Sequence, residues 1–156
     1  MIENQKMIGK WKFEKTCTVT GKTRVSEQYN IIPTVGKTAF ASQIANENTY
    51  NIGDNLYIAV GDDATAPNAS DTTLGNETYR KAVSSTSFAS NVANIVVFFA
   101  SGEVTGTHRE FGLFGDGNAT QCTSSADTGI LFSHVSANET ISATETLTIT
   151  FNLTFS

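Results

Sequence analysis

The sequence predicts an all-β protein, a β-sandwich or jelly-roll-like fold with one short accessory helix near residues 34–45. Three observations predict it. Residues 147–156 alternate without a break, with Leu147, Ile149, Phe151, Leu153 and Phe155 on one face and Thr148, Thr150, Asn152, Thr154 and Ser156 on the other. A period of two over that length marks a half-buried antiparallel strand, and the β-branched Thr positions agree with it. Charged residues make up only 16% of the chain, below the roughly 25% usual for globular proteins. Thr, Ser, Asn and Gly fill the difference, which suits short strands joined by polar turns. Finally, seven or eight strand-like segments recur along the chain with turn residues between them, the pattern of sandwiches and jelly rolls.

Taken in order, residues 7–29 read as a basic N-terminal hairpin. Met7, Trp11, Phe13 and Cys17 share one face, and Thr20-Gly21-Lys22 supplies the turn before residues 23–29. Pro33-Thr34 starts the helix, in which Val35, Phe40, Ala41 and Ile44 lie near helical spacing. A lone helix among strands is expected to plug one end of the sheet. Residues 55–61 form a short buried strand that runs into the acidic, turn-rich stretch 62–74. Residues 78–88 read as one strand and 91–100 as a stronger one. In the latter Ile95, Val96, Val97, Phe98 and Phe99 are all apolar, so both of its faces are expected to be covered. Strands at 109–114 and 129–135 follow, and then the terminal strand, whose end is expected to be pinned into a sheet. No boundary or repeat divides the chain, so residues 1–156 are expected to form a single domain.

The net charge of −5 is uneven. Six of the ten basic residues, Lys6, Lys10, Lys12, Lys15, Lys22 and Arg24, precede residue 25, against only Glu3 and Glu14. No aromatic platform accompanies them, and the acidic remainder would repel phosphates, so nucleic acid is not an expected partner. Lys10, Lys12 and Lys15 are instead nominated for a solvated or subunit-facing surface. Cys17 and Cys122 lie far apart with no CxxC spacing and no neighbouring His, which argues against a metal site or redox couple and for two buried free thiols. The opening residues form no signal sequence and no apolar run is long enough to span a bilayer, so neither secretion nor a membrane partner is expected. Five Asn-x-Ser/Thr sequons begin at Asn68, Asn76, Asn118, Asn138 and Asn152; in a chain rich in Asn and Thr they carry no weight.

Candidate chemistry is sparse. Val35-Gly36-Lys37-Thr38 has the end of a phosphate-binding loop but Ile31 where that loop needs its first Gly. The segment Gly61-Asp62-Asp63 to Asp71 has calcium-ligand chemistry without the spacing or closing Glu of a calcium loop, so it reads as a solvated turn. Asp116-Gly117-Asn118 reads as turn chemistry. His108 and His134 lack a nucleophile setting, and His134 reads as a satisfied sheet residue. Arg109 and Glu110 are neighbours, so in a strand they point to opposite faces and cannot form an acid/base pair. No catalytic residue, cofactor site or metal ligand set is nominated.

Several segments occur in an order that resembles the small virion structural proteins of tailed bacteriophages, the tail-fibre or minor tail family. They are Asn30-Ile-Ile-Pro-Thr-Val-Gly-Lys, Leu56-Tyr-Ile-Ala-Val-Gly-Asp-Asp-Ala-Thr-Ala-Pro, Asp71-Thr-Thr-Leu-Gly-Asn-Glu-Thr-Tyr-Arg-Lys, Arg109-Glu-Phe-Gly-Leu-Phe-Gly, Gly129-Ile-Leu-Phe-Ser-His-Val, and Glu145 through Ser156. The resemblance implies a non-enzymatic subunit of the virion, assembled in the host bacterial cytoplasm and tail-associated as fibre, collar or baseplate. It also implies association with copies of itself, expected as a homotrimer, and with neighbouring virion proteins. A capsid decoration or head-fibre protein is one alternative. A carbohydrate-binding module for a host surface glycan is another, with Tyr50, Tyr57 and Tyr79 as candidate contacts. Phe111, Leu113 and Phe114 carry enough apolar bulk to serve either an interface or the sandwich core.

Overall fold

The computed structural model describes residues 6–47, 50–117 and 121–156. In chain order its elements are β1 (Met7–Cys17), β2 (Thr23–Tyr29), α1 (Thr34–Ile44), β3 (Tyr57–Gly61), β4 (Glu77–Ala82), β5 (Ser85–Ala89), β6 (Val92–Phe99), β7 (Gly106–Gly115), β8 (Ile130–Ile141) and β9 (Glu145–Phe155). They form two sheets, one in the order β2-β1-β9-β6-β5 and one in the order β4-β3-β7-β8. The architecture is therefore all-β and sandwich-like, with one short helix. The chain divides into two compact units: Met1–Asn30, Val83–Gly106 and Ile141–Ser156 form one, Ile31–Ala82 and Thr107–Thr140 the other.

The first unit is the five-stranded sheet. β1 and β9 pair along their whole lengths, which sets Trp11 opposite Phe151 and Phe13 opposite Ile149. The Trp11 and Phe151 rings stand 5.3 Å apart, and Leu147, Ile149, Phe151, Val97 and Phe99 are all buried on the same face. Alternation thus does in this sheet what the sequence promised: one face is apolar and covered. The basic hairpin turns where expected, with Gly21 at φ +70°, a conformation that favours glycine. Because β1 lies between β2 and β9, the hairpin is built into the sheet, with β2 forming one of its edges.

Glu145 fastens one end of this unit. Its carboxylate accepts the Ser142 backbone N–H at 2.9 Å and the Arg24 guanidinium. These hydrogen bonds, Ser142 first and Arg24 second, hold its pKa below the usual glutamate value. A carboxyl whose folded pKa is depressed stabilises the fold above its unfolded pKa and loses that contribution as pH falls through the folded value. Acid titration followed by circular dichroism is therefore expected to show Glu145→Gln with a flatter loss of stability than the parent below about pH 4. Identical acid slopes would contradict the role of this contact.

In the second unit the four-stranded sheet carries α1 against β8. The helix spans the expected residues, but its inward side is Gly36 and Ala39, while Ile44 is 72% exposed. The backbone of β8 is the reason. A methyl group at Gly36 would lie 2.8 Å from the Phe132 carbonyl oxygen, so only small side chains let the helix approach. Gly36 belongs to a close helix–strand contact, which accounts for it without any phosphate. Val35 packs on a buried cluster of Ala59, Leu74, Phe114, Cys122 and Leu131.

Two strand expectations need correction. Residues 78–88 are two strands, β4 and β5, which belong to different sheets. The switch falls at residues 83–84, where Ser84 replaces the usual Gly or Pro marker by donating its N–H to the Val96 carbonyl and accepting from the Phe98 N–H. β6 is not covered on both faces, because Phe98 is 45% exposed on the side where β9 presents Thr148 and Thr150. The strand segments buried at every position, and so on both faces, are Ile58–Gly61 of β3, Glu110–Gly115 of β7 and Leu131–Val135 of β8.

Candidate functional site

β7 turns Arg109 outward and Glu110 inward, as strand alternation requires, and Glu110 is 1% exposed. His134 of β8 is also buried and meets Glu110 Oε2 at 3.1 Å through its Nε2. The segment between β3 and β4 then closes over them, bringing Asp71 Oδ2 to 2.8 Å from His134 Nδ1. Glu110 additionally accepts the backbone N–H groups of Gly75 at 2.9 Å and Asn76 at 2.8 Å. Both ring nitrogens of His134 are thus occupied by carboxylate partners within the trio.

An open cleft of about 290 Å³ lies beside this trio, lined by Asp63, Thr65, Ser70, Thr72 and Thr73 among others. Asp63 caps its own turn, accepting the Thr65 N–H and hydroxyl, both at 3.0 Å. The Thr65 contacts, with a smaller contribution from His134, hold its carboxyl below the ordinary aspartate value. Asp62 accepts the Asn76 side-chain amide at 2.6 Å. Among the described residues, no group of three or more His, Cys, Asp or Glu side chains is placed to hold a metal ion. The acidic segment spends its carboxylates on its own turns and on His134, and the cleft is a polar, hydroxyl-lined surface.

A second buried polar cluster lies at β4. Glu77 and Arg80 form a two-pronged ion pair, Nε to Oε1 at 2.5 Å and Nη2 to Oε2 at 2.7 Å, with both side chains 1% exposed. Arg80 Nη1 donates to the carbonyls of Thr123 and Thr128 at 3.1 and 2.9 Å, and the guanidinium stacks over Phe114 at 4.4 Å. Residues three apart on a regular strand face opposite ways. Here the pairing slips between Val60–Tyr79 and Gly61–Glu77, and that bulge puts both side chains on one side.

Cys122 abuts this cluster, its sulfur 3.7 Å from Arg80 Nη1. Burial pushes its thiol up to about 11, against a smaller opposing pull from Arg80. Cys17, also free, is only half-buried, and hydrogen bonds from Thr20 hold its thiol below the usual value. Iodoacetamide is therefore expected to modify Cys17 in the native protein and Cys122 only after unfolding. Equal labelling of both without denaturant would contradict this. The expectation of two buried thiols holds for Cys122 alone.

The remaining nominated residues divide clearly. Phe111, Leu113 and Phe114 are buried, at 0, 1 and 0% exposure, and offer no free surface in this chain. Lys10 and Lys12 lie on the open face of the five-stranded sheet, paired with Glu27 at 2.7 Å and Glu14 at 3.0 Å. Lys15 falls on the opposite, covered face of β1 and is 8% exposed, so it is not a solvated residue. His108 is buried edge-on to Phe111. Of the tyrosines, Tyr79 is 38% exposed, whereas Tyr57 packs against the Leu74–Phe114 cluster. Asp116 accepts the Cys122 N–H at 2.7 Å and the Asn55 side-chain amide at 2.8 Å. The third residue of that turn, Asn118, and its sequon lie outside the described residues.

No family model matches the chain, nor does any curated protein or solved structure. The likeness to phage virion proteins rests on the quoted sequence segments alone.

Proposed function

We propose that this protein is a non-enzymatic structural subunit that works by association, with copies of itself and with neighbouring proteins of a tailed-bacteriophage virion. One observation carries the association reading. Exposed apolar side chains gather on the open face of the five-stranded sheet: Ile8, Val25, Tyr29 and Phe98, at 39, 54, 70 and 45% exposure, all project from that side by the strand registers. Between them stand Thr148, Thr150 and Thr154, so the face is uncharged except for the Lys10–Glu27 and Lys12–Glu14 pairs. Scattered surface apolar groups need no explanation, but several on one sheet face suit a binding surface. The non-enzymatic reading is supported by the His134 ring, whose two nitrogens are both engaged by carboxylates.

The test is the mass of the purified protein by light scattering. A discrete multiple of the 16.7 kDa chain supports the proposal, and a trimer would fit the threefold arrangement that the resemblance implies. A monomer at every concentration would overturn self-association. The hydroxyl-lined cleft favours a second reading, a module that binds a host surface glycan. Its check is a glycan array, on which Thr72→Ala and Thr73→Ala would abolish any retained signal.

A further inference from the structure

The five-stranded sheet ends at β5, which pairs only with β6 among the described residues and is exposed at every position. Residues 82–102, which contain β5 and β6, include no Asp, Glu, Lys or Arg. The other three edge strands differ. β2 carries Arg24 and Glu27, and β4 carries Glu77, Arg80 and Lys81. β8 carries His134 and Glu139 and is bridged at His134 by Ile31. Proteins protect open edges with charges, because a row of unpaired N–H and C=O groups recruits another strand. β5 alone lacks that protection.

Phe88 sharpens the contrast. Its register opposite Ala93, with Thr86 opposite Ile95, places it on the side of the sheet that buries Val97 and Phe99. It is nevertheless 83% exposed. The apolar face runs out to the edge uncovered.

We infer that β5 is a docking edge for β5 of a second copy of this chain, paired antiparallel across a two-fold axis to make one continuous ten-stranded sheet. Charge selects this occupant. The chain carries a net −5, so two copies repel along most approaches, whereas the charge-free hairpin lets them meet without opposing like charges. A two-fold pairing also keeps the faces in register, so Phe88 of each copy extends the other's apolar face and is covered by it. The edge is short, so the contact is weak and concentration-dependent compared with interfaces of standard size. The inference rests on the association reading above and adds to its open face a second surface, the β5 edge, with a two-fold symmetry.

Light scattering over a concentration series tests it on the full chain, for the parent, Thr86→Lys/Phe88→Lys and Gln28→Lys. Both altered β5 side chains are exposed, so circular dichroism and the thermal midpoint are expected to match the parent. The parent is expected to approach twice the 16.7 kDa chain mass. The β5 variant is expected to stay monomeric at least tenfold higher in concentration, and Gln28→Lys on the opposite edge to behave as the parent. A parent oligomer of any size that the β5 variant leaves intact overturns the edge and keeps the association reading. Dissociation by Gln28→Lys as well would mean that β5 meets β2 of the next copy and overturns the two-fold. A parent monomeric throughout overturns both readings.

Discussion

Replacing Arg80 with alanine is expected to cost about 3–5 kcal/mol of folding stability, the range for removing one partner of a buried ion pair. The reason is what the guanidinium holds. Glu77 is left as a buried carboxylate without its two-pronged partner, and the carbonyls of Thr123 and Thr128 lose the guanidinium N–H, Thr123 keeping only the Thr128 hydroxyl. The segment before β8 would come loose from β4, because these contacts tie the two together. Arg80→Lys should recover little, since an ammonium cannot make two parallel bonds to Glu77 while also reaching both carbonyls. Urea denaturation of the parent, both single variants and Glu77→Ala/Arg80→Ala checks this. The double variant should be more stable than the sum of the single effects implies, as coupled residues require. Additive single effects would show that the pair is not coupled.

Glu110→Ala is expected to be nearly as damaging, at about 3 kcal/mol, because an unsatisfied buried donor costs about 1–3 kcal/mol. Its carboxylate is the shared acceptor for the Gly75 and Asn76 N–H groups and for His134 Nε2. Removing it frees the loop that carries Asp71 and opens the cleft. Glu110→Gln keeps the shape but turns one acceptor oxygen into a donor, so an intermediate loss is expected. The same urea titrations read both variants. An unchanged midpoint for Glu110→Ala would mean that the trio is not structural, and would restore interest in the cleft as a reaction centre.

These two clusters also mark the limit of what the sequence shows. Alternation placed β1 and β9 correctly because each has one covered face and one open face, the situation in which period two is informative. It misjudged β6: five apolar residues in a row looked like a doubly covered strand, yet Phe98 faces out beside the Thr row of β9. The sheet switch at Ser84 carried no Gly or Pro marker, so β4 and β5 looked like one strand. Glu77 and Arg80 face one another only because of a bulge, and a bulge breaks the parity on which strand reading depends. His134 was legible as a satisfied sheet histidine. Its partners were not, since Glu110 and Asp71 come from a neighbouring strand and a loop distant in sequence. Gly36 drew notice as part of an incomplete phosphate-binding loop, but only the β8 backbone beneath it explains it.

Function was less legible than fold for a related reason. Catalytic chemistry announces itself through residue types at fixed spacing, whereas an association surface consists of ordinary Thr, Val and Phe. What distinguishes β5 is the absence of charge combined with its place at the end of a sheet. The first is in the sequence, and the second requires the strand order.

The measurement that tests the central claim most directly is amide hydrogen exchange resolved to β5 across a concentration series. The account predicts that the outward-facing amides of Ser85–Ala89 exchange rapidly when the protein is dilute and become protected as it is concentrated, while β2 amides do not change. Amides in β5 that exchange as fast as those of the loops at every concentration would contradict association through this edge.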